Sequence, residues 1–153
     1  MLRIVLVEPE IPPNTGNVIR LCANTGCELH LIAPLGFELD DKRLRRAGLD
    51  YHEWASMQVH DSLAEYRAAT GGTEYALSTR GTTRYTDARF SAGDSLVFGP
   101  ETRGLPQTYL DSLPLESCLR MPMLPQSRSL NLSNAVTAVV YEALRQNGFD
   151  GLA

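Results

Sequence analysis

Residues 120–148 read RMPMLPQSRSLNLSNAVTAVVYEALRQNG, and the stretch changes character twice. Arg120 and Met121 end a short apolar segment, residues 122–130 are rich in proline and polar side chains, and from Asn131 onward Val136, Val139, Val140, Ala143 and Leu144 recur at helical spacing. Apolar residues at i, i+3, i+4, i+7 and i+8 form one stripe of a helix, so strand, loop and core-facing helix are expected in that order. Asn131 and Ser133 can each accept the unpaired amides of a first helical turn, and Gly148 can close the helix with Arg145 near its carbonyl end. A helix that only packs does not require the loop before it. There Pro122 and Pro125 stiffen the chain, and Gln126, Ser127, Arg128 and Ser129 crowd polar groups against an apolar run. The segment reads either as the cap of a structural helix or as a loop that holds a ligand.

Working outward, residues 3–7 form a continuous apolar run bounded by Glu8-Pro9, as in a strand buried on both faces. A helix follows, capped by Asn14 or Thr15, carrying Val18, Ile19, Leu21 and Cys22 and ended by Gly26; a second strand spans 29–33. Further helices are expected from Asp40 or Asp41 to Gly48 and over 62–69, with strands at 75–78, 95–98 and 118–121. Helices alternating with short apolar strands predict an α/β fold with a mostly parallel sheet and helices on both faces. Ligands of such sheets bind beyond the carboxyl ends of the strands, which brings loops 77–81, 99–104 and 121–129 to one pocket.

The composition suits one domain over 1–153: 43% of the residues are hydrophobic and no run is long enough to span a bilayer. The apolar run 2–7 is too short for a signal-peptide core, so a cytoplasmic protein is expected. Cys22, Cys27 and Cys118 are odd in number and lack paired metal-ligand spacing, which predicts reduced, buried thiols and no metal. A net charge of −4 argues against a general nucleic-acid coat. Yet Lys42, Arg43, Arg45 and Arg46 fall within five positions, followed by Arg80, Arg84 and Arg89. Such a cluster is either a solvated helix face or one local RNA contact. Phosphate-loop, dinucleotide-binding, zinc-protease and nucleophile-elbow motifs are missing, and His30, His52 and His60 have no Ser or Cys at triad spacing.

Three segments carry a further signal when taken together: Pro13-Asn14-Thr15-Gly16-Asn17 to Arg20, Phe98-Gly99-Pro100-Glu101-Thr102-Arg103-Gly104-Leu105, and residues 120–142. In this order they resemble the three motifs of the SPOUT class of RNA methyltransferases, and the resemblance runs over essentially the whole chain, including 41–52. It implies a deep trefoil knot near the C-terminus, drawing the last helix through the loops of the pocket. It also implies S-adenosylmethionine-dependent methylation of a ribose 2'-hydroxyl, with the wobble nucleotide 34 of tRNA anticodon loops as the expected target. Another tRNA or rRNA site, or a non-catalytic RNA-binding factor on the same fold, are the alternatives.

By the same resemblance, Leu77, Gly99, Met121 and Ser129 contact the cofactor, Glu101 and Gly104 belong to the cofactor-side loop, and Leu130 and Leu105 line the slot. A Cβ at Gly99 is expected to intrude on the adenosine. Arg20 resembles the catalytic arginine; because guanidinium stays protonated, its expected work is to polarise the hydroxyl or hold the adjacent phosphate. Asn14 is expected to position substrate or the third-motif loop, with Ser129 and Asn131 supporting the site by hydrogen bonds. Lys42, Arg43 and Arg46 are expected on RNA. With no added RNA-binding domain, tRNA must be gripped by a homodimer, its interface including Tyr141 and part of the helix from Asn14 to Asn24, one subunit holding the anticodon stem while the other does the chemistry.

Overall fold

In the computed structural model, which describes residues 1–153, the apolar runs become strands of one sheet and the periodic segments pack across it. In chain order the elements are β1 (Arg3–Val7), α1 (Pro12–Thr25), β2 (Glu28–Ile32), α2 (Asp41–Arg46), α3 (Tyr51–Trp54), β3 (Gln58–His60), α4 (Leu63–Ala69) and β4 (Glu74–Leu77). β5 (Thr83–Arg84), β6 (Ser95–Phe98), α5 (Gln107–Asp111), β7 (Cys118–Arg120) and α6 (Leu132–Gln146) complete it. The sheet has seven strands in the order β3-β2-β1-β6-β4-β7-β5, and every pairing is parallel.

Strand alternation divides the core. Ile4, Leu6, Leu29, Leu31, Leu96, Phe98 and Leu119 face one side, where α1, α2, α3 and α6 cover them with Val18, Ile19, Leu44, Trp54, Val136, Val139 and Val140. Val5, Val7, Ile32, Ala76 and Val97 face the other, against Tyr66 of α4 and Tyr109 and Leu110 of α5. Each such buried side chain contributes roughly 1.5–3 kcal/mol over its exposed state, so the helical stripe of α6 alone holds that helix on the sheet. The two sequence-distant helices α1 and α6 pack on each other.

Several local expectations are corrected. α1 begins earlier than the Asn14 or Thr15 cap, at Pro12 with Ile11 in the N-cap position, so that Pro12 and Pro13 fall in its first turn, where a missing amide costs nothing. Asn14 and Thr15 are thereby turned inward and buried. The short elements α3, β3, β5 and α5 were not anticipated, because two to five residues carry too little periodicity to read. α6 begins where expected, with Asn131 at its N-cap accepting the Asn134 amide. The three cysteines are free and buried, and burial pushes their thiol pKa values up. His30 and His60 bond to each other at 2.9 Å on the α4 side of the sheet.

Candidate functional site

Because the strands are parallel, the carboxyl ends of β1, β6, β4 and β7 lie side by side, and the loops that follow them converge. They enclose a cleft of about 540 Å³, a volume suited to a nucleoside-sized ligand. Leu77, Gly99, Met121, Ser129 and Leu130 line it, with Asn14 and Ile11 from the start of α1. Glu101 and Gly104 line it too.

The loops are tied together by polar groups. The Glu101 carboxylate accepts the Glu10 and Ile11 amides at 2.8 and 2.9 Å and the Asn14 Nδ2 at 3.2 Å. In return, the Glu10 carboxylate accepts the Thr102 amide and hydroxyl at 2.9 and 2.7 Å, bonds that hold its pKa below the usual carboxylate range. Each acid thus clamps the backbone of the other's loop across the gap between the loops after β1 and β6. Asn14, only 5% exposed, extends the chain of bonds: its Oδ1 accepts Asn131 Nδ2 at 3.0 Å, and Asn131 Oδ1 accepts the Ser133 hydroxyl at 2.7 Å. All three sequence motifs therefore meet in one network. Glu10 and Thr102 escaped the sequence reading; the adjacent Glu8-Pro9-Glu10 at a strand's carboxyl end was the signal available.

Two of the lining glycines are also required by the fold. A Cβ on Gly99 would stand 2.4 Å from both Gly104 C and Leu105 N, so the fold-back of its own loop already demands glycine there. Gly104 is needed for its φ of 68°, with open space around its Cβ position. Leu105 is also corrected: it is 1% exposed and packs in the core on the α5 side, offering only its carbonyl to the Arg80 guanidinium. Thr79, Arg80 and Met123 also line the cleft, within the loops expected there although not singled out as site residues.

Arg20 does not reach this cleft. It lines a separate hollow of about 520 Å³ beside Pro13, Asn17, Phe37 and Arg43. There its guanidinium is ion-paired with Glu53 and donates to the Gly48 carbonyl at 2.8 Å. The Asp50 amide, and then Arg20, hold the Glu53 carboxyl below its usual range, so the pair stays charged. The only buried side-chain oxygen or nitrogen without a partner, Thr15 Oγ1, belongs to a residue lining this same hollow. The basic cluster is split. Arg43 pairs with Glu38 at 2.9 Å and with Asp40, and Arg45 lies over the Trp54 ring at 5.8 Å. Lys42 and Arg46 are exposed and outside every ion pair.

The family model of the SpoU rRNA methylases matches residues 1–141. The chain belongs to this family. A tRNA (cytidine(34)-2'-O)-methyltransferase of Saccharophagus degradans is 60% identical over 99% of each chain. A solved structure concerned with 2-OH methylation of C/U34 on tRNA superposes with a TM-score of 0.88 at 48% identity, covering 97% of each chain. The SpoU methyltransferase AviRb of Streptomyces viridochromogenes, in complex with the cofactor AdoMet, superposes at a TM-score of 0.78 and 27% identity, over 96% of this chain and 58% of that one. In this SpoU methylase a cleft at the strand ends and a hollow that holds Arg20 and Arg43 both border the first turn of α1.

Proposed function

We propose that this SpoU methylase transfers a methyl group from S-adenosylmethionine to the ribose 2'-hydroxyl of nucleotide 34, cytidine or modified uridine, in tRNA anticodon loops. The observation that carries it is 60% identity, over nearly the full length, to tRNA (cytidine(34)-2'-O)-methyltransferases, combined with a cleft that joins all three motifs. When bound, S-adenosylmethionine supplies a sulfonium methyl group, which passes to the ribose oxygen and leaves S-adenosylhomocysteine and a proton. The cleft fits such a group: Leu77, Met121 and Leu130 offer apolar surface, Ser129 and Gly104 offer polar and backbone contacts, and Glu101 fixes the loop that carries Gly104. Asn14 is a positioning residue, since both ends of its amide are bonded within the protein.

Arg20 polarises the ribose hydroxyl or neutralises the flanking phosphate, exchanging Glu53 for the RNA as it does so. It lies outside the cleft of its own chain, which supports a homodimer in which the exposed faces of α1 and α6, including Tyr141 at 46% exposure, meet a second copy and carry Arg20 to that copy's cleft. Lys42, Arg43 and Arg46 then extend the RNA contact. On this reading residues 1–153 act as a single cytoplasmic methyltransferase domain with no metal. The SPOUT knot accompanies it, supported by the insertion of β6 between β1 and β4 and of β7 between β4 and β5.

Incubating tRNA with the protein and labelled S-adenosylmethionine, then mapping the product, tests the activity. Label at the 2'-oxygen of nucleotide 34 is expected; label elsewhere selects the other RNA-site alternative, and failure to bind S-adenosylhomocysteine selects the non-catalytic one. Light scattering that reports an active monomer would overturn the dimer.

A further inference from the structure

At the far edge of the sheet, Arg84 and Arg120 are Cα partners in the β5–β7 ladder. Partners in a parallel ladder project to the same face, so two arginine side chains leave neighbouring exposed positions on one face, an arrangement that like-charge repulsion disfavours. Neither forms an ion pair, and Arg120 is held only through Nη1 to the Thr79 carbonyl at 3.1 Å. Arg80 continues the row to the cleft, bonding to the Leu105 carbonyl and to Gln107 Oε1 at 2.7 Å, again without an acid.

The row is rigidly presented. A Cβ at Gly81 would lie 2.4 Å from the Leu119 carbonyl oxygen, so glycine is what lets the turn 78–82 lie on β7. The Ser78 and Thr82 amides fasten that turn to the Leu119 and Cys118 carbonyls at 3.0 and 3.2 Å. Met121 and Met123, just beyond Arg120, line the cleft, so the row begins at its rim. In a chain of net charge −4, three neighbouring cations with no acidic partner call for an external anion.

We infer that Arg80, Arg84 and Arg120 form a phosphate-contact surface that guides the RNA strand along the β5–β7 edge to the cleft, taking phosphodiester groups next to the modified nucleotide. The inference rests on the RNA-methyltransferase reading. Charge on an edge strand also discourages sheet-to-sheet pairing, but that accounts for Arg84 alone: Arg120 lies on β7, inside the sheet, and Arg80 in a turn.

The test is binding of a tRNA anticodon stem-loop, followed by fluorescence anisotropy over a salt series, for the parent protein, Arg84→Gln and Arg84→Gln/Arg120→Gln. Arg84→Gln removes no ion pair, so it remains informative should loss of the Arg120 contact to Thr79 disturb the turn. The double variant should bind roughly tenfold more weakly at low salt, with the slope of log Kd against log salt reduced by about 1.5, and the single variant should fall midway. Calorimetric affinity for S-adenosylhomocysteine should not change. A parent that binds RNA together with variants of equal affinity and slope would overturn the surface and leave the methyltransferase reading intact. Increased self-association of Arg84→Gln in light scattering with unaltered RNA binding would overturn the surface and assign Arg84 to edge protection instead. A parent that neither binds nor methylates tRNA would overturn both.

Discussion

The cleft and the hollow that holds Arg20 and Arg43 both border the first turn of α1, yet they are built in opposite ways. In the cleft, polar side chains are consumed by the protein itself: Glu101, Asn14 and Asn131 bond to one another and to backbone amides, leaving a preformed space walled by loops. In the hollow, Arg20 and Arg43 are about half exposed: Arg43 is held by the surface carboxylates of Glu38 and Asp40, contacts worth little in water and easily traded for a phosphate, and Arg20 by Glu53, whose own carboxylate is largely buried. The difference teaches that a rigid small ligand and a mobile polyanion call for different walls. Preorganisation limits the entropy lost on binding the first, while weak, exchangeable ion pairs keep cations available for the second.

The largest expected effect comes from breaking the cleft's backbone. Gly99→Val should abolish measurable S-adenosylhomocysteine binding and destabilise the protein by about 1–3 kcal/mol, because the new side chain meets Gly104 and Leu105 backbone that cannot yield without reshaping the loop. Calorimetry and thermal melting check both halves; retained donor affinity would show the loop to be pliable.

Next, Arg20→Ala should lower methyl transfer by about 10²–10³-fold while S-adenosylhomocysteine binds as in the parent, since Arg20 acts on the RNA and does not line the cleft of its own chain. Equal loss of both would erase the distinction between the two regions. Single-turnover methylation beside calorimetry measures it.

Asn14→Ala probes the seam where the regions join. It orphans partners on Glu101 and Asn131, and should cost about 1–3 kcal/mol of stability with a partial, roughly tenfold loss of donor affinity. A variant with normal donor binding would show that the network shapes the fold without shaping the cleft.

The smallest effect is expected on the outer rim of the hollow. Arg43→Glu/Arg46→Glu should weaken tRNA binding by about tenfold or less, increasingly masked at high salt, with donor binding spared. Filter binding at two salt concentrations gives the answer, and an unaffected variant would move RNA recognition away from α2.

Legibility followed sequence distance. The long strands and the two long helices were readable because each carries its own period: β1 as an apolar run, α6 as the stripe Val136, Val139, Val140, Ala143. Membership of the cleft by Leu77, Gly99, Met121 and Ser129 was readable from parallel-sheet logic and from motif resemblance. The reason for Gly99 was not, because the atoms a Cβ would strike belong to residues brought back by a loop whose path no local pattern encodes.

The sequence by itself determined the α/β class, the buried strands and the capped terminal helix, since these follow from local propensity and periodicity, while the three motif loops were recognised by their resemblance to a family. Only the tertiary structure decided how those loops are joined and which cations face which space. The Glu10–Thr102 and Glu101–Glu10 clamps span about ninety residues of chain, the Asn14–Asn131 bond spans 117, and Arg20 is directed away from the cleft by Glu53, 33 residues on. Such contacts depend on the strand order β1-β6-β4-β7, in which late strands are inserted between early ones, and chain neighbours carry no record of that order.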